Sequence, residues 1–429
     1  MRLERHHRTA AAVLAAGLAL AAVAGFRFRR QFVAEPLFPS PALTRTARLS
    51  EWHGPLAGTP FDTDVFVFDG ATTGGTLLLC GGTHPNEPAA YLAAVTLLEN
   101  LSVKAGRVLV IARANAAGFT HNDSQDAGLS HYDIPTTHGA RRFRNGSRFT
   151  NPVLQWPDPG VYVNPRPAGW KAKLTEADAG NPGPGGQTLG GVDSRNLNRV
   201  YPGLADGTPT EQTAWAVMEL IRREKVDLAI DLHEASPEYP TINVIVAHQR
   251  ALGLATAAEL LLGEDGMSIA TDQSAMNLRG LSHREWGDAT PALALLMESA
   301  NPAQGRLKGR TSPDQITAGR DGAYWRVQII QRRLNERLAA MAKAAVARGG
   351  KAGETGRRIL NTEIPAAGVP VAERVARHIT ATRRLVEAYN EEHADRPIAV
   401  GGIPPYRDLV KQGVGRYLHG PVGQAPSAP

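Results

Sequence analysis

The 429-residue chain contains a single cysteine, Cys80. One thiol excludes an intramolecular disulfide framework and any cysteine-rich metal site. Cys80 closes the apolar run Thr76-Leu77-Leu78-Leu79-Cys80, where a thiol behaves as a small buried hydrophobe rather than a nucleophile. Internal repeats are absent, which excludes a solenoid or propeller. A basic cluster on the folded part is also lacking. Of the formal net charge of +6, residues 1–30 carry +5, with six arginines against Glu4, so the rest of the chain is almost neutral. A nucleic-acid footprint needs clustered basic residues, and none is present. Glycine (44) and proline (30) are frequent enough to predict long ordered loops but not general disorder.

The amino terminus accounts for the charge. Arg2, Arg5 and Arg8 precede an uninterrupted apolar stretch over residues 9–26, rich in alanine and leucine. That order is the pattern of an export signal, and Ala22-Val23-Ala24 offers a small-x-small cleavage site. Eighteen apolar residues also reach the lower range for a membrane span, so an uncleaved anchor is the alternative. Arg27-Phe28-Arg29-Arg30 follows directly and keeps both readings open. The chain is expected to be exported, either periplasmic or extracellular, or held at a membrane through residues 9–26.

Residues 31–60 are proline-spaced and read as a connector. Strands are expected over 64–68, 76–80, 107–111, 226–232, 241–247 and 292–297, with helices over 89–101, 211–225, 251–262 and 324–348. The strand–helix alternation predicts a three-layer α/β/α domain over 61–348, around a mixed, mostly parallel twisted sheet. Residues 118–192 have almost no helical periodicity, and a loop of that length is expected to form a functional rim over a site. From Gly349-Gly350 the composition shifts. The remainder, 349–429, reads as a helical extension with a helix near 376–392 and a disordered end from 415.

Four segments carry chemistry, each at a predicted strand end or just before a helix. Gly81-Gly82-Thr83-His84-Pro85-Asn86-Glu87 delivers a histidine and a glutamate three residues apart. Asp231-Leu232-His233 ends the strand 226–232, and Glu298 follows the strand 292–297. Asn196-Leu197-Asn198-Arg199-Val200-Tyr201 lies between. Two imidazoles and a carboxylate suit an open catalytic zinc site. A glutamate ending a core strand needs a partner or a purpose, and Glu298 could serve as general base. Arginine donors could stabilise an oxyanion, and the Asn198-Arg199 pair could grip a carboxylate. Taken singly, His84 could be a turn residue, His233 a satisfied buried histidine and Arg199 a surface ion-pair partner.

In this order the segments resemble the zinc carboxypeptidase superfamily, and most closely its succinylglutamate desuccinylase/aspartoacylase branch. The resemblance covers roughly residues 60–345. GGTHPNE is similar to that branch's metal motif, with Pro85 where glycine is commoner. Asn-Leu-Asn-Arg-Val-Tyr is similar to its Asp-Leu-Asn-Arg-aromatic motif, with Asn196 at the aspartate position. Glu298-Ser-Ala-Asn-Pro-Ala-Gln304-Gly resembles its catalytic glutamate segment.

The resemblance implies one zinc ion per chain on His84, Glu87 and His233, Glu298 as base, and Asn198 and Arg199 on the substrate carboxylate. It further implies an arginine that polarises the scissile carbonyl, for which Arg148 and Arg144 are preferred over Arg195. The branch's usual tyrosine and arginine before the glutamate are replaced here by Ser282-His283-Arg284-Glu285-Trp286, so Arg284 or Tyr239 is expected to contact substrate. The helical tail also departs from the branch's small β-rich domain.

The implied activity is zinc-dependent hydrolysis of an amide next to a carboxylate, on a small molecule such as an N-acyl amino acid. A metallocarboxypeptidase acting on peptides or cell-wall peptides is the alternative. A catalytically inactive carboxylate-binding protein of the same fold is the third reading.

Overall fold

Period-two alternation along the apolar strands sorts their side chains into two separate cores. The computed structural model describes residues 2–123, 129–164, 188–349, 351, 353 and 355–420. The first helix, α1 (Arg2–Arg30), is largely apolar, is exposed from Glu4 onward, and is long enough to cross a membrane. Then come β1 (Arg45–Arg48), β2 (Asp64–Asp69), β3 (Thr72–Cys80), α2 (Pro88–Asn100) and β4 (Ser102–Ile111). Two small hairpins stand apart from the main sheet. One is β5 (His131–Thr136) with β6 (Gly139–Arg144), the other β7 (Val161–Val163) with β8 (Thr188–Gly190). The chain continues through α3 (Pro209–Arg223), β9 (Leu228–Ala235), β10 (Val244–Ala247), α4 (Leu252–Glu264), β11 (Ala270–Gln273), α5 (Ser282–Ala289) and β12 (Leu293–Ala300). It closes with α6 (Pro313–Thr317), α7 (Gly322–Ala347), α8 (Val371–Glu392), β13 (Ala399–Gly401) and α9 (Tyr406–Gln412).

The main sheet has the order β1-β2-β4-β3-β9-β12-β10-β11, with β13 pairing β4. The four central strands, β4, β3, β9 and β12, are parallel, and antiparallel pairs lie towards both edges. On one face Leu77, Leu79, Val108, Val110, Ile230 and Met297 pack against α2, α4 and α8. On the other, Leu78, Cys80, Leu109, Ile111, Ala229 and Ala294 pack against α3 and Trp286 of α5. Two helical layers on a mostly parallel sheet is the expected architecture.

Connectivity fixes where a site can lie. From β3 the chain crosses through α2 to β4 on one side, while β9 leads on to β12 on the other. The gap between the carboxyl ends of β3 and β9 is therefore a topological switch point, where open α/β sheets bind ligands. The turn leaving β3 needs Gly82, whose φ of +64° is left-handed and whose added Cβ would meet Ala112 O at 2.7 Å and Phe119 at 2.9 Å.

Three expectations about boundaries are corrected. Residues 31–60 are not a mere connector, because β1 pairs β2 and Leu49, Trp52 and Leu56 are fully buried. Residues 349–429 are not an appendage. Val375, Ile379 and Leu385 of α8 are each 0% exposed within the same core as α2 and α4, and β13 extends the sheet. Leu418 is buried as well, so the described part of the expected disordered end is ordered; residues 421–429 lie outside the described residues. The expected rim over 118–192 contains both small hairpins, while 124–128 and 165–187 lie outside the described residues.

Because α8 completes a core layer, a chain ending at Ala347 is expected to be insoluble, or to lack a cooperative melt by circular dichroism. In the full chain, Ile379→Ala should cost about 3 kcal/mol, measured by denaturant titration. A soluble, cooperatively melting truncation would show that the tail is an independent extension after all.

Candidate metal centre

Strand register brings the chemistry-bearing side chains together. In β9, Ala229 faces the α3 layer, so Asp231 and His233 face the same way; in β12, Ala294 sets the same face for Glu298. His233 and Glu298 are directly paired across these strands, and Cys80 at the end of β3 is paired with Asp231. Both strands run further than their apolar content predicts, so His233 and Glu298 sit within the ladder rather than after it.

The carboxylate of Glu87 lies between two imidazoles. Its Oε1 is 2.7 Å from His84 Nδ1, and its Oε2 is 3.0 Å from His233 Nδ1. The rings meet edge to face at 4.7 Å, and a ligand atom from each of the three residues lies within 4.8 Å of the other two. All three side chains are buried. The outer nitrogens also have neighbours. His84 Nε2 is 2.9 Å from Asn196 Oδ1, which also accepts the Asn198 N–H, so the acceptor role of that oxygen puts the ring proton on Nε2. His233 Nε2 is 2.9 Å from Asp231 Oδ2, though off the line of a good hydrogen bond. Thr83 Oγ1 donates to the other oxygen of Asp231 at 2.8 Å. An outer oxygen behind each ring, with Nδ1 turned inward, is the arrangement that orients metal-ligating histidines. The donor set therefore fits zinc.

Electrostatics follow from burial and neighbours. Burial lowers the pKa of His84, with Glu87 working against it. Burial would lower His233 too, but Asp231 and Glu87 hold it well above the ordinary imidazole range. Although burial disfavours its charge, Glu87 is kept well below the usual carboxylate range by the two histidines. Glu298 is pushed up to about 8 by burial and by the charge on Glu87. It is half-buried, and its Oε2 is shielded from solvent with no hydrogen-bond partner among the described residues.

Two arginines lie near enough for their charges to interact with Glu298, and neither has a carboxylate partner among the described residues. Arg148 donates from Nη2 to Gln304 Oε1 at 3.3 Å, and its charge bears on His84, Glu298 and Arg199. Arg199 donates to the Asn198 carbonyl at 2.7 Å, and burial, with Arg148 nearby, lowers its pKa. Tyr239 is 47% exposed and lies close enough to Arg199 to influence its charge.

The other expected residues make protein contacts of their own. Asn198 accepts the Ser282 N–H through its side-chain oxygen at 2.8 Å, which pins the start of α5. Arg284 is fully buried within its own helix environment, donating to Ser274 O at 3.0 Å and to Asp288 at 2.9 Å. Arg144 lines a different cavity, beside Glu35 and Arg113. Arg195 clasps Asp158 at 2.6 and 2.9 Å.

The motifs contain Asn196, Asp231 and Gln304, but their sequence alone gave these residues no supporting role. The signal for Asp231 was its period-two spacing from His233. For Gln304, whose Nε2 lies 3.3 Å from Glu87 Oε1, only the fold could reveal the contact.

On the opposite face of β9 and β12, Glu234 and Ser299 meet α8. Glu234 Oε2 accepts the Ala89 N–H at 2.8 Å and so caps α2 just after Glu87, while the Glu234 N–H donates to Glu87 Oε2 at 2.9 Å. Arg374 pairs with Glu234 Oε1, and both side chains are completely buried. Burial nonetheless raises Glu234 to about 7.

No family model and no curated protein matches the chain. Among solved structures it is similar to the tripeptide-bound cell shape determinant Csd4 of Helicobacter pylori, at 11% identity over 81% of this chain and 60% of that one, with a TM-score of 0.41. It is similar to a succinylglutamate desuccinylase from a Silicibacter species, at 15% identity over 55% of this chain and 53% of that one, with a TM-score of 0.33. A metallo-carboxypeptidase from Burkholderia cenocepacia matches at 11% identity over 61% of this chain and 56% of that one, with a TM-score of 0.33. The chain thus spans about half the length of the desuccinylase it matches. At these identities and TM-scores the likenesses assign no activity.

Two predictions test the supporting contacts. Arg374→Ala leaves a buried Glu234 without its cation and is expected to destabilise the fold by about 3–5 kcal/mol. The Arg374→Met/Glu234→Gln double variant should recover part of that loss in denaturant titrations; an additive loss would mean that the pair is not coupled.

Asp288 tests the Arg284 assignment. Burial opposes its charge, but His248, Arg284 and Arg279 hold its pKa far below the ordinary value. A depressed carboxyl pKa contributes stability that is present above the unfolded pKa of about 4 and lost as pH falls through the folded one. The melting-temperature gap between wild type and Asp288→Asn should therefore be widest at pH 6–8 and close below about pH 4. A pH-independent gap would contradict this.

Proposed function

We propose that the chain is a zinc-dependent amide hydrolase of the zinc carboxypeptidase superfamily, acting on a bond next to a carboxylate. The observation that carries this reading is the convergence on one sheet end of His84, Glu87 and His233 with Glu298 and two arginines that have no carboxylate partner among the described residues. His84 and His233 through Nδ1, and Glu87 through its carboxylate, would hold the ion. When bound, zinc supplies Lewis acidity to a water and to the substrate carbonyl.

The rest of the chemistry falls to side chains. Glu298, in its carboxylate form, accepts a proton from the attacking water as the new C–O bond forms. It returns that proton to the amine nitrogen as the C–N bond breaks. Arg148, half-buried and hydrogen-bonded to Gln304, is the donor for the developing oxyanion. Arg199 holds the substrate carboxylate, and Tyr239 at its exposed side contributes to the rim.

The deacylase-like reading rests on the detail of the motifs. Cleavage of peptides or cell-wall peptides is the second reading, favoured by the apolar helix α1, which suits export or anchoring. A metal-free carboxylate-binding protein would keep the same arginines without turnover.

Metal analysis and turnover separate these readings. Wild type purified without chelator is expected to contain about one zinc per chain and to hydrolyse members of a panel of N-acyl amino acids and C-terminal peptides. Glu298→Gln should retain zinc and lose activity by about 10²–10⁴-fold. Arg199→Lys should mainly raise KM, and Arg148→Gln should mainly lower kcat. Absence of zinc and of turnover on every substrate would favour the binding protein, and full activity in Glu298→Gln would remove the assigned base.

A further inference from the structure

Glu87 stands immediately before α2, at the capping position, where a short polar or acidic side chain ordinarily turns back to accept an N–H from the first turn of its own helix. It makes no such bond. Its Oε1 is 2.7 Å from His84 Nδ1 and its Oε2 3.0 Å from His233 Nδ1, so both oxygens are turned to the histidines. The first N–H groups of a helix have no acceptor within it, and buried ones need one from elsewhere. Pro88, the first residue of α2, has no N–H to satisfy, so the first free donor is that of Ala89, which is fully buried.

The acceptor comes from another strand. Glu234 follows His233 in β9, so its side chain turns to the opposite face, towards α2 and α8. There its Oε2 takes the Ala89 N–H at 2.8 Å. Its Oε1 is held by Arg374 of α8 and by Ser299 Oγ at 3.4 Å. Arg374 is fixed in turn through Nη2 on the Ile316 carbonyl, and His378, one turn further along α8, lies 3.0 Å from the Ser299 hydroxyl. All four of these side chains are buried. The backbone N–H of Glu234 meanwhile donates to Glu87 Oε2 at 2.9 Å. One residue thus touches Glu87 directly through its backbone and secures the helix behind Glu87 through its side chain.

We propose that Glu234, oriented by Arg374, is a positioning residue of the metal centre. It supplies the helix cap that Glu87 would otherwise make, and so leaves the Glu87 carboxylate free to face the two histidines. Without it the buried Ala89 N–H lacks an acceptor, a costly state, and Glu87 is the carboxylate already at the capping position. Turning there would withdraw one of the three ligands. This role rests on the zinc-centre reading above and adds to it a dependence on α8, which lies beyond the part of the chain that resembles the zinc carboxypeptidases.

Zinc affinity reports on the ligand set without turnover. The full-length chain in a non-ionic detergent, freed of metal, is titrated with zinc against a chromophoric chelator. Two double variants remove the buried ion pair and differ only in the cap. Arg374→Met/Glu234→Gln keeps a neutral acceptor for Ala89 and should bind zinc about as tightly as wild type. Arg374→Met/Glu234→Met fills a similar volume without an acceptor and should bind about 10–100-fold more weakly. The backbone N–H of residue 234 is unchanged in both, so the difference reads the side chain. Ile379→Ala, which loosens the same helix without removing the pair, should keep wild-type affinity. If the double variant without an acceptor does not fold, Glu234→Asp decides the matter. It withdraws the carboxylate from Ala89 by one carbon and should weaken zinc binding about tenfold. Wild-type affinity in the variants that lose the cap overturns the positioning role, as does an equal loss in Ile379→Ala or in both double variants. Those outcomes leave the zinc reading standing, whereas a wild type that binds no zinc removes that reading and the positioning role together.

Discussion

The carboxylate of Glu87 is the contact around which the rest of the centre is arranged. It stands between His84 and His233 at 2.7 and 3.0 Å, and it also accepts the backbone N–H of Glu234. That triple engagement ties the turn after β3 to the end of β9, across the point where the sheet's connections diverge. Its cost is a buried charge, which the two histidines and the N–H offset. Glu234 repeats the logic one residue along the strand. Its side chain turns to the other face, caps α2 at Ala89 and is itself held by Arg374 from α8. The site on one face of the sheet thus depends on a helix packed against the other.

This dependence explains why the carboxyl-terminal quarter of the chain is not separable. Composition shifts at Gly349-Gly350, yet the helix that follows supplies both apolar side chains to the core and the cation opposite Glu234. A linker-like stretch marks a break in local pattern, and packing can bridge it without leaving a trace in composition. The same holds for residues 31–60, where prolines break periodicity although Leu49 and Trp52 fill the core beside α3.

Strand identity and the alternation of faces were legible because buried parallel strands are short apolar runs of period two. Placement of His84, Glu87, His233 and Glu298 at one end of the sheet could be read from their positions next to those runs. Roles for the arginines could not. Arg144, Arg148, Arg195, Arg199 and Arg284 look alike in sequence, but their fates differ with their acceptors. Arg284 meets Asp288, Arg195 meets Asp158, and Arg144 turns to a separate cavity. Arg148 and Arg199 stay beside Glu298 without an ion pair among the described residues. Asn198, read as a substrate contact beside Arg199, also fastens α5 through its side-chain oxygen.

By itself the amino-acid sequence determined the layered α/β architecture, the apolar amino-terminal helix and the residue types of a His-Glu-His centre with a nearby glutamate. These rest on local properties: period, chain punctuation and donor chemistry. Tertiary structure alone decided which arginines face the centre, which oxygens orient the imidazoles and that α8 belongs to the core. Those outcomes depend on distances between residues far apart in the chain, and a guanidinium's role is set by the acceptor it finds there.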